Sequence, residues 1–137
     1  LYVDGYPRSG NTFLVHLLKN IFPDINMVSH FHAIAPLKVA ISKNILTYIL
    51  VRNPFEAISS NYLKKYSFRN LPAQINSKLL YNLTSQYVDY YHFVSSHTNR
   101  LLLVSFQDVS SNFEHVIFDV NQHCPVRELR KSAHVVL

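Results

Sequence analysis

The run Gly5-Tyr6-Pro7-Arg8-Ser9-Gly10-Asn11-Thr12 holds the residue types in this chain most able to do chemistry: two glycines four residues apart, an arginine, and a hydroxyl residue that opens a helical stretch. Such spacing makes an anion cradle, in which backbone N–H groups and a helix N-terminus surround a negative ligand. The lysine that usually follows the second glycine is replaced by Asn11, and the cation stands upstream at Arg8. Transfer of a γ-phosphoryl group from ATP or GTP uses that lysine together with a Mg²⁺-binding acid. The best candidate for such an acid, Asp108 after Leu101–Phe106, is isolated. The plain alternative is that the glycines only make a tight strand-to-helix turn.

A second junction of the same kind runs Leu50-Val51-Arg52-Asn53-Pro54-Phe55-Glu56-Ala57-Ile58-Ser59-Ser60. Asn53 suits an N-cap and Pro54 the first helical position, which points another positive helix end at the same sheet edge. Arg52 leaves the strand with five N–H donors, and Ser60 lies about two turns into the helix, where its hydroxyl can meet the same anion. Two anion sites on one edge suit a ligand charged at both ends. The competing expectation is that Arg52 pairs with Glu56 and Ser60 only packs or faces solvent.

The elements that must position these residues alternate. Apolar runs predict strands over 1–4, 26–30, 46–51 and 101–106, with helices over 11–21, 34–42 and 54–66 between them. From Ala73 to Ser96 the apolar positions Ile75, Leu79, Leu80, Leu83, Tyr87, Tyr90, Tyr91 and Val94 recur at helical spacing, and Tyr81, Tyr87, Tyr90 and Tyr91 are read as core packing rather than a stacking platform. Phe113-Val116-Ile117-Val120 suggests a further covering helix, and Pro125–Leu137 the start of another. Strands without alternation, separated by helices, predict an α/β fold with a parallel sheet between two helical layers (three-layer αβα) and ligand at the strands' carboxyl ends.

Composition narrows the partners. The 137 residues fit one domain, 1–137, with 48% hydrophobic residues and a net charge of +5. The positive charges are scattered, which suits an anionic ligand and disfavours nucleic acid. Ile45–Val51 is the longest apolar stretch and is too short for a transmembrane segment. The single cysteine, Cys124, allows no internal disulfide and shows no sign of an oxidising compartment, which leans toward the cytoplasm while leaving localisation open. Asn82-Leu83-Thr84 has glycosylation spacing but falls in a helical run and reads as chance. A start without Met, directly inside a strand, suggests a fragment. Oligomeric state is not legible.

Taken in order, these motifs resemble those of the sulfotransferases that use 3′-phosphoadenosine 5′-phosphosulfate (PAPS). Tyr6-Pro7-Arg8-Ser9-Gly10-Asn11-Thr12-Phe13 is similar to that family's 5′-phosphosulfate loop, Y-P-K-S-G-T-T-W, and Arg52-Asn53-Pro54 with Ser60 is similar to its 3′-phosphate motif. Ser105-Phe106-Gln107-Asp108 weakly resembles a later strand ending in Y-E-D, so the likeness spans roughly residues 1 to 120. The resemblance implies a P-loop NTPase-like sulfotransferase fold. It implies that Arg8, Ser9, Gly10, Asn11, Thr12 and Phe13 surround the 5′ side and that Arg52 and Ser60 hold the 3′-phosphate. The co-substrate would be PAPS, the product adenosine 3′,5′-bisphosphate, and no metal would be required. The acceptor would be a small-molecule, lipid or carbohydrate hydroxyl, or an amine.

The same resemblance implies a histidine base, and Ser29-His30-Phe31-His32 offers His30 and His32, between which spacing does not decide. A neutral imidazole accepts a proton near neutral pH, while Arg8 would stabilise charge on the transferred group. The plain alternatives are surface histidines, or an H-x-H metal pair for which His16 and Cys124 supply no recognisable third ligand. Glu56 is a weak substitute base, and Lys38 and Lys43 read as solvated lysines. The family's basic, glycine-rich closing stretch has no counterpart by Leu137, although Arg127, Arg130 and Lys131 stand near the end, so the domain is expected to be incomplete at its C-terminus. Two other functions stay open: a Mg²⁺- and ATP-dependent small-molecule or nucleotide kinase with a degenerate loop, and a non-catalytic nucleotide-binding module.

Overall fold

Strand β1 (Tyr2–Gly5) is buried along its whole length and lies beside β3 (Thr47–Val51), buried at all but its last residue, as expected of strands covered on both faces. In the computed structural model, which describes residues 1–68 and 75–123, these two form the centre of a four-stranded, all-parallel sheet. With β2 (Val28–Ser29) and β4 (Leu102–Ser105), the order is β2-β1-β3-β4. Among the described residues six α-helices accompany it: α1 (Asn11–Ile21), α2 (Ile34–Ser42), α3 (Pro54–Phe68), α4 (Ser77–Ser95), α5 (Phe106–Ser111) and α6 (Phe113–His123).

Alternation along the strands sorts the helices onto the two faces. Val3, Tyr48 and Leu50 point to one side and pack with Leu14, Val15 and Leu18 of α1, Val109 of α5, and Val116 and Val120 of α6. Tyr2 and Ile49 point to the other, against Leu37 and Ala40 of α2 and Tyr90 and Val94 of α4. A third cluster joins Tyr6 to Ala57 and Ile58 of α3 and Leu83 of α4. Helices therefore cover both faces of the sheet.

The strand order creates the place for a ligand. From β1 the chain moves to its neighbour on one side, β2, and from β3 to its neighbour on the other, β4. Between the carboxyl ends of β1 and β3 the connections diverge, which in open parallel sheets leaves a crevice. Gly5 pairs with Leu50 there, so the two anion-type junctions leave the sheet side by side.

Several bounds differ from the sequence expectation. The second strand has only two residues, because His30 turns to φ 67° and leaves the extended region. The fourth ends at Ser105, whose hydroxyl accepts a hydrogen bond from the Asp108 N–H at 3.0 Å and caps α5, a helix that periodicity did not reveal in so short a span. The long helix starts at Ser77, capped by the Asn76 side chain on Leu79 N at 2.9 Å. Ala73, Cys124, Arg127, Arg130, Lys131 and the Pro125–Leu137 segment lie outside the described residues. Among the described residues no helix is long and apolar enough to cross a membrane.

Candidate functional site

The β1–α1 loop is shaped by backbone geometry. Ser9 N–H donates to Tyr6 carbonyl oxygen at 3.1 Å, Arg8 takes φ 70° and Gly10 φ 94°, and Leu14 N–H closes the first helical turn on Gly10 carbonyl oxygen at 3.1 Å. Helix α1 then opens with no side-chain cap and no acid in its first turn, which leaves its first N–H groups and positive end for an anion. Both glycines have steric reasons to be there. A Cβ on Gly5 would meet Leu50 carbonyl oxygen at 2.6 Å, and one on Gly10 would meet the Phe106 ring at 2.5 Å.

Tyrosines from α4 hold this loop from beneath. The Tyr91 hydroxyl donates to Leu50 carbonyl oxygen at 2.5 Å, accepts from Tyr6 N–H at 3.3 Å and lies 3.4 Å from Ser9 Oγ. Tyr87 donates to Arg52 carbonyl oxygen at 2.7 Å. These rings, expected only to fill the core, pin the two junctions to each other; hydroxyl reach across 35 to 85 residues leaves no trace in helical periodicity.

The second junction has the local form anticipated from the sequence. Asn53 Oδ1 accepts from Phe55 N–H at 3.0 Å and Glu56 N–H at 3.4 Å, and Pro54 begins the helix. Arg52 does pair with Glu56, Nε to Oε2 at 3.0 Å, as the plainer alternative held. It also donates from Nη1 to Arg8 carbonyl oxygen at 2.9 Å and lies 4.3 Å from the centroid of the Phe106 ring. Ser60 accepts from Arg8 Nε at 3.0 Å, so it meets the first motif's arginine rather than Arg52.

Arg8, Gly10, Thr12, Phe13, Arg52 and both His30 and His32 thus border one open cleft of about 430 Å³. Lys64 joins them, a cation one helical turn beyond Ser60 that the sequence signalled only by that spacing. Asn11 borders the cleft as well, whereas Ser9, expected beside it around the ligand, is not among the lining residues. Ser9 is wholly buried, and the Asn11 amide folds under the loop, donating to Gly5 and Tyr6 carbonyl oxygens at 3.3 Å each. Asn11 thus braces the loop from below, where a lysine would reach outward.

The histidines occupy unlike settings, and both have left-handed backbone, φ 67° at His30 and 51° at His32. His30 is exposed, with Nδ1 2.7 Å from Ser29 Oγ and Nε2 3.0 Å from Thr12 Oγ1. Its pKa is lowered by burial, then by the charges of His32, His16 and Lys19, despite an opposing pull from Asp4. His32 hangs on a carboxylate that sequence reasoning passed over. Asp4, fully buried in β1, accepts from His32 N–H at 3.0 and 3.1 Å, lies 3.2 Å from His32 Nδ1 and takes the Tyr2 hydroxyl at 2.8 Å. Burial depresses the His32 pKa, but its bonds to Asp4 and to Gly5 carbonyl oxygen, with the Asp4 charge, outweigh that and leave it raised. The available signal was an acid inside the apolar run Leu1-Tyr2-Val3-Asp4.

A carbonyl oxygen only accepts, so His32 Nδ1 carries the proton it gives Gly5 at 2.7 Å, and Nε2 of the neutral ring has its lone pair free. No described residue hydrogen-bonds that nitrogen. Asp108 is engaged by Ser105 Oγ at 2.6 Å. Among the described residues no group of three His, Cys, Asp or Glu side chains could hold a metal ion.

Comparison with family models finds no match, and neither the curated proteins nor the solved structures contain one.

Proposed function

We propose that this chain is a sulfuryl transferase of the P-loop-like kind that uses PAPS, with the nucleotide lying across the carboxyl ends of β1 and β3. One juxtaposition carries the assignment: Arg8 Nε bonds Ser60 at 3.0 Å and Arg52 Nη1 bonds Arg8 carbonyl oxygen at 2.9 Å, so both guanidinium groups border the cleft that His30 and His32 share. A donor anionic at both ends fits two cationic junctions that open on one crevice.

In this scheme the first-turn N–H groups of α1, with Arg8 and Thr12, hold the 5′-phosphosulfate. Arg52 and Lys64 face the 3′-phosphate, and Phe13 and Phe106 offer rings to the base. His32 is the general base. Its tautomer is held by Gly5 and Asp4, and its free Nε2 takes the acceptor's proton as the acceptor oxygen bonds to sulfur. The bond from sulfur to the bridging phosphate oxygen breaks, and adenosine 3′,5′-bisphosphate leaves with the electron pair. Arg8 and the loop N–H groups balance charge on the leaving oxygen. His30 keeps Thr12 turned toward the loop.

Calorimetry against adenosine 3′,5′-bisphosphate, adenosine 5′-phosphate and ATP with Mg²⁺ tests the assignment. The bisphosphate is expected to bind tightest and without metal. Preference for ATP with Mg²⁺ would turn the assignment toward a kinase, and bisphosphate binding with no transfer from PAPS to any acceptor would leave a nucleotide-binding module.

A further inference from the structure

His32 and Pro7 border both the cationic cleft and a second, smaller pocket of about 260 Å³. Its other walls include Tyr6, Ile34, Gln86, Asp89 and Tyr90. The two spaces differ in sign. Arg8, Arg52 and Lys64 border the first, with no carboxylate among its lining residues, whereas Asp89 is the one carboxylate lining the second. Asp89 is exposed and has only a long contact from Ser85 Oγ at 3.5 Å, so its oxygens are open to a donor. Tyr90, only 3% exposed and packed with Tyr2 and Ile49, forms a buried wall of the pocket.

We propose that this pocket receives the acceptor, and that the acceptor is a compact hydroxylated amine whose ammonium group pairs with Asp89 while its hydroxyl meets His32. The inference rests on the sulfotransferase assignment and adds the class of acceptor. The volume falls below the range usual for drug-sized ligands, which selects a small molecule over a lipid or an oligosaccharide. An ammonium held by a carboxylate stays protonated and is no nucleophile, so the hydroxyl oxygen attacks sulfur and its proton passes to His32 Nε2. The S–O bond to the phosphate breaks, and adenosine 3′,5′-bisphosphate is released. The opposed charges of the two spaces then favour the anionic donor in one and the cationic acceptor in the other.

The test supplies PAPS with glucosamine, glucose or glucuronate, which share a ring and differ in charge, and measures kcat/KM and the site of sulfation. Glucosamine is expected to exceed glucose by roughly threefold to fivefold, the size of an exposed ion pair, with glucuronate poorest and the sulfate on oxygen. Asp89→Asn should remove the preference, with bisphosphate affinity unchanged. Equal use of the three sugars, a preference that survives Asp89→Asn, sulfation on nitrogen, or bisphosphate binding without transfer to any of the three would overturn the inference. Loss of bisphosphate binding by the unaltered chain would overturn the sulfotransferase assignment beneath it.

Discussion

The two strand-to-helix junctions look alike in sequence and work by opposite means. The one after β1 has both of the chain's glycines, a left-handed arginine, no side-chain cap and no acid in its helix's first turn. It is built to present backbone N–H groups. The junction after β3 is capped by Asn53, starts with Pro54 and keeps Glu56 on its own arginine. It has one fixed cation and little free backbone. Geometry therefore governs the first site and side-chain charge the second, and substitutions in the two should fail differently.

The largest effect is expected at His32, which the first junction orients through Gly5 and Asp4. His32→Ala should lower kcat about 10²- to 10⁴-fold, the usual contribution of a positioned base, while His30→Ala costs markedly less. The pH profile separates the two independently. The His32 pKa is raised above 6.5, so a rate that needs it neutral climbs through a value above 6.5; with His30, whose pKa is lowered, the climb would come below it. Asp4→Asn should move the limb down. A limb below 6.5 that ignores Asp4→Asn would exchange the two roles. The same sign gives a stability effect: the His32 contribution is complete below about pH 6.5 and vanishes as pH rises through its raised folded value.

Next is the backbone of the first loop. Gly10→Ala places a Cβ 2.5 Å from the Phe106 ring at φ 94°. Together these should cost roughly 2–4 kcal/mol in denaturant unfolding and abolish bisphosphate binding. Ser9→Ala removes only a buried hydroxyl contact and serves as the comparison. If Gly10→Ala bound the bisphosphate normally, the backbone cradle would be dispensable.

The elements were largely legible because each segment has its own period. Helix α1 was expected over 11–21 and is found at Asn11–Ile21, and α2 was expected over 34–42 and is found at Ile34–Ser42. The convergence of Arg8 and Arg52 was legible because parallel strands bring their carboxyl ends to one edge. Side-chain direction was not. Nothing local tells that Asn11 turns beneath the loop, that Tyr91 reaches Leu50, or that Asp4 faces back to hold His32 across 28 residues. Such contacts depend on the packing of elements far apart in the chain, and α5 is too short for a hydrophobic period to register.

At the second junction, Arg52→Ala should weaken adenosine 3′,5′-bisphosphate about 10- to 100-fold, the value of a charge-assisted hydrogen bond, and barely change adenosine 5′-phosphate. Both affinities come from one calorimetric series. Equal loss for both ligands would mean that Arg52 acts by bracing Arg8 carbonyl oxygen, 2.9 Å from its Nη1, rather than by charge.

The smallest effect decides what Glu56 does there. Its carboxylate is more than half exposed and holds Arg52 Nε at 3.0 Å, so in the free protein it competes with any phosphate for that donor. Glu56→Gln keeps a side chain of the same shape and removes the competing charge. Because an exposed ion pair is worth little, the bisphosphate should bind only about twofold to fivefold tighter, and the gain should shrink as salt is raised. The first junction has no such acid, so Thr12→Ala should show no comparable gain. If Glu56→Gln weakened binding instead, the carboxylate would be orienting the guanidinium toward the phosphate, and the second junction would depend on geometry after all, as the first does.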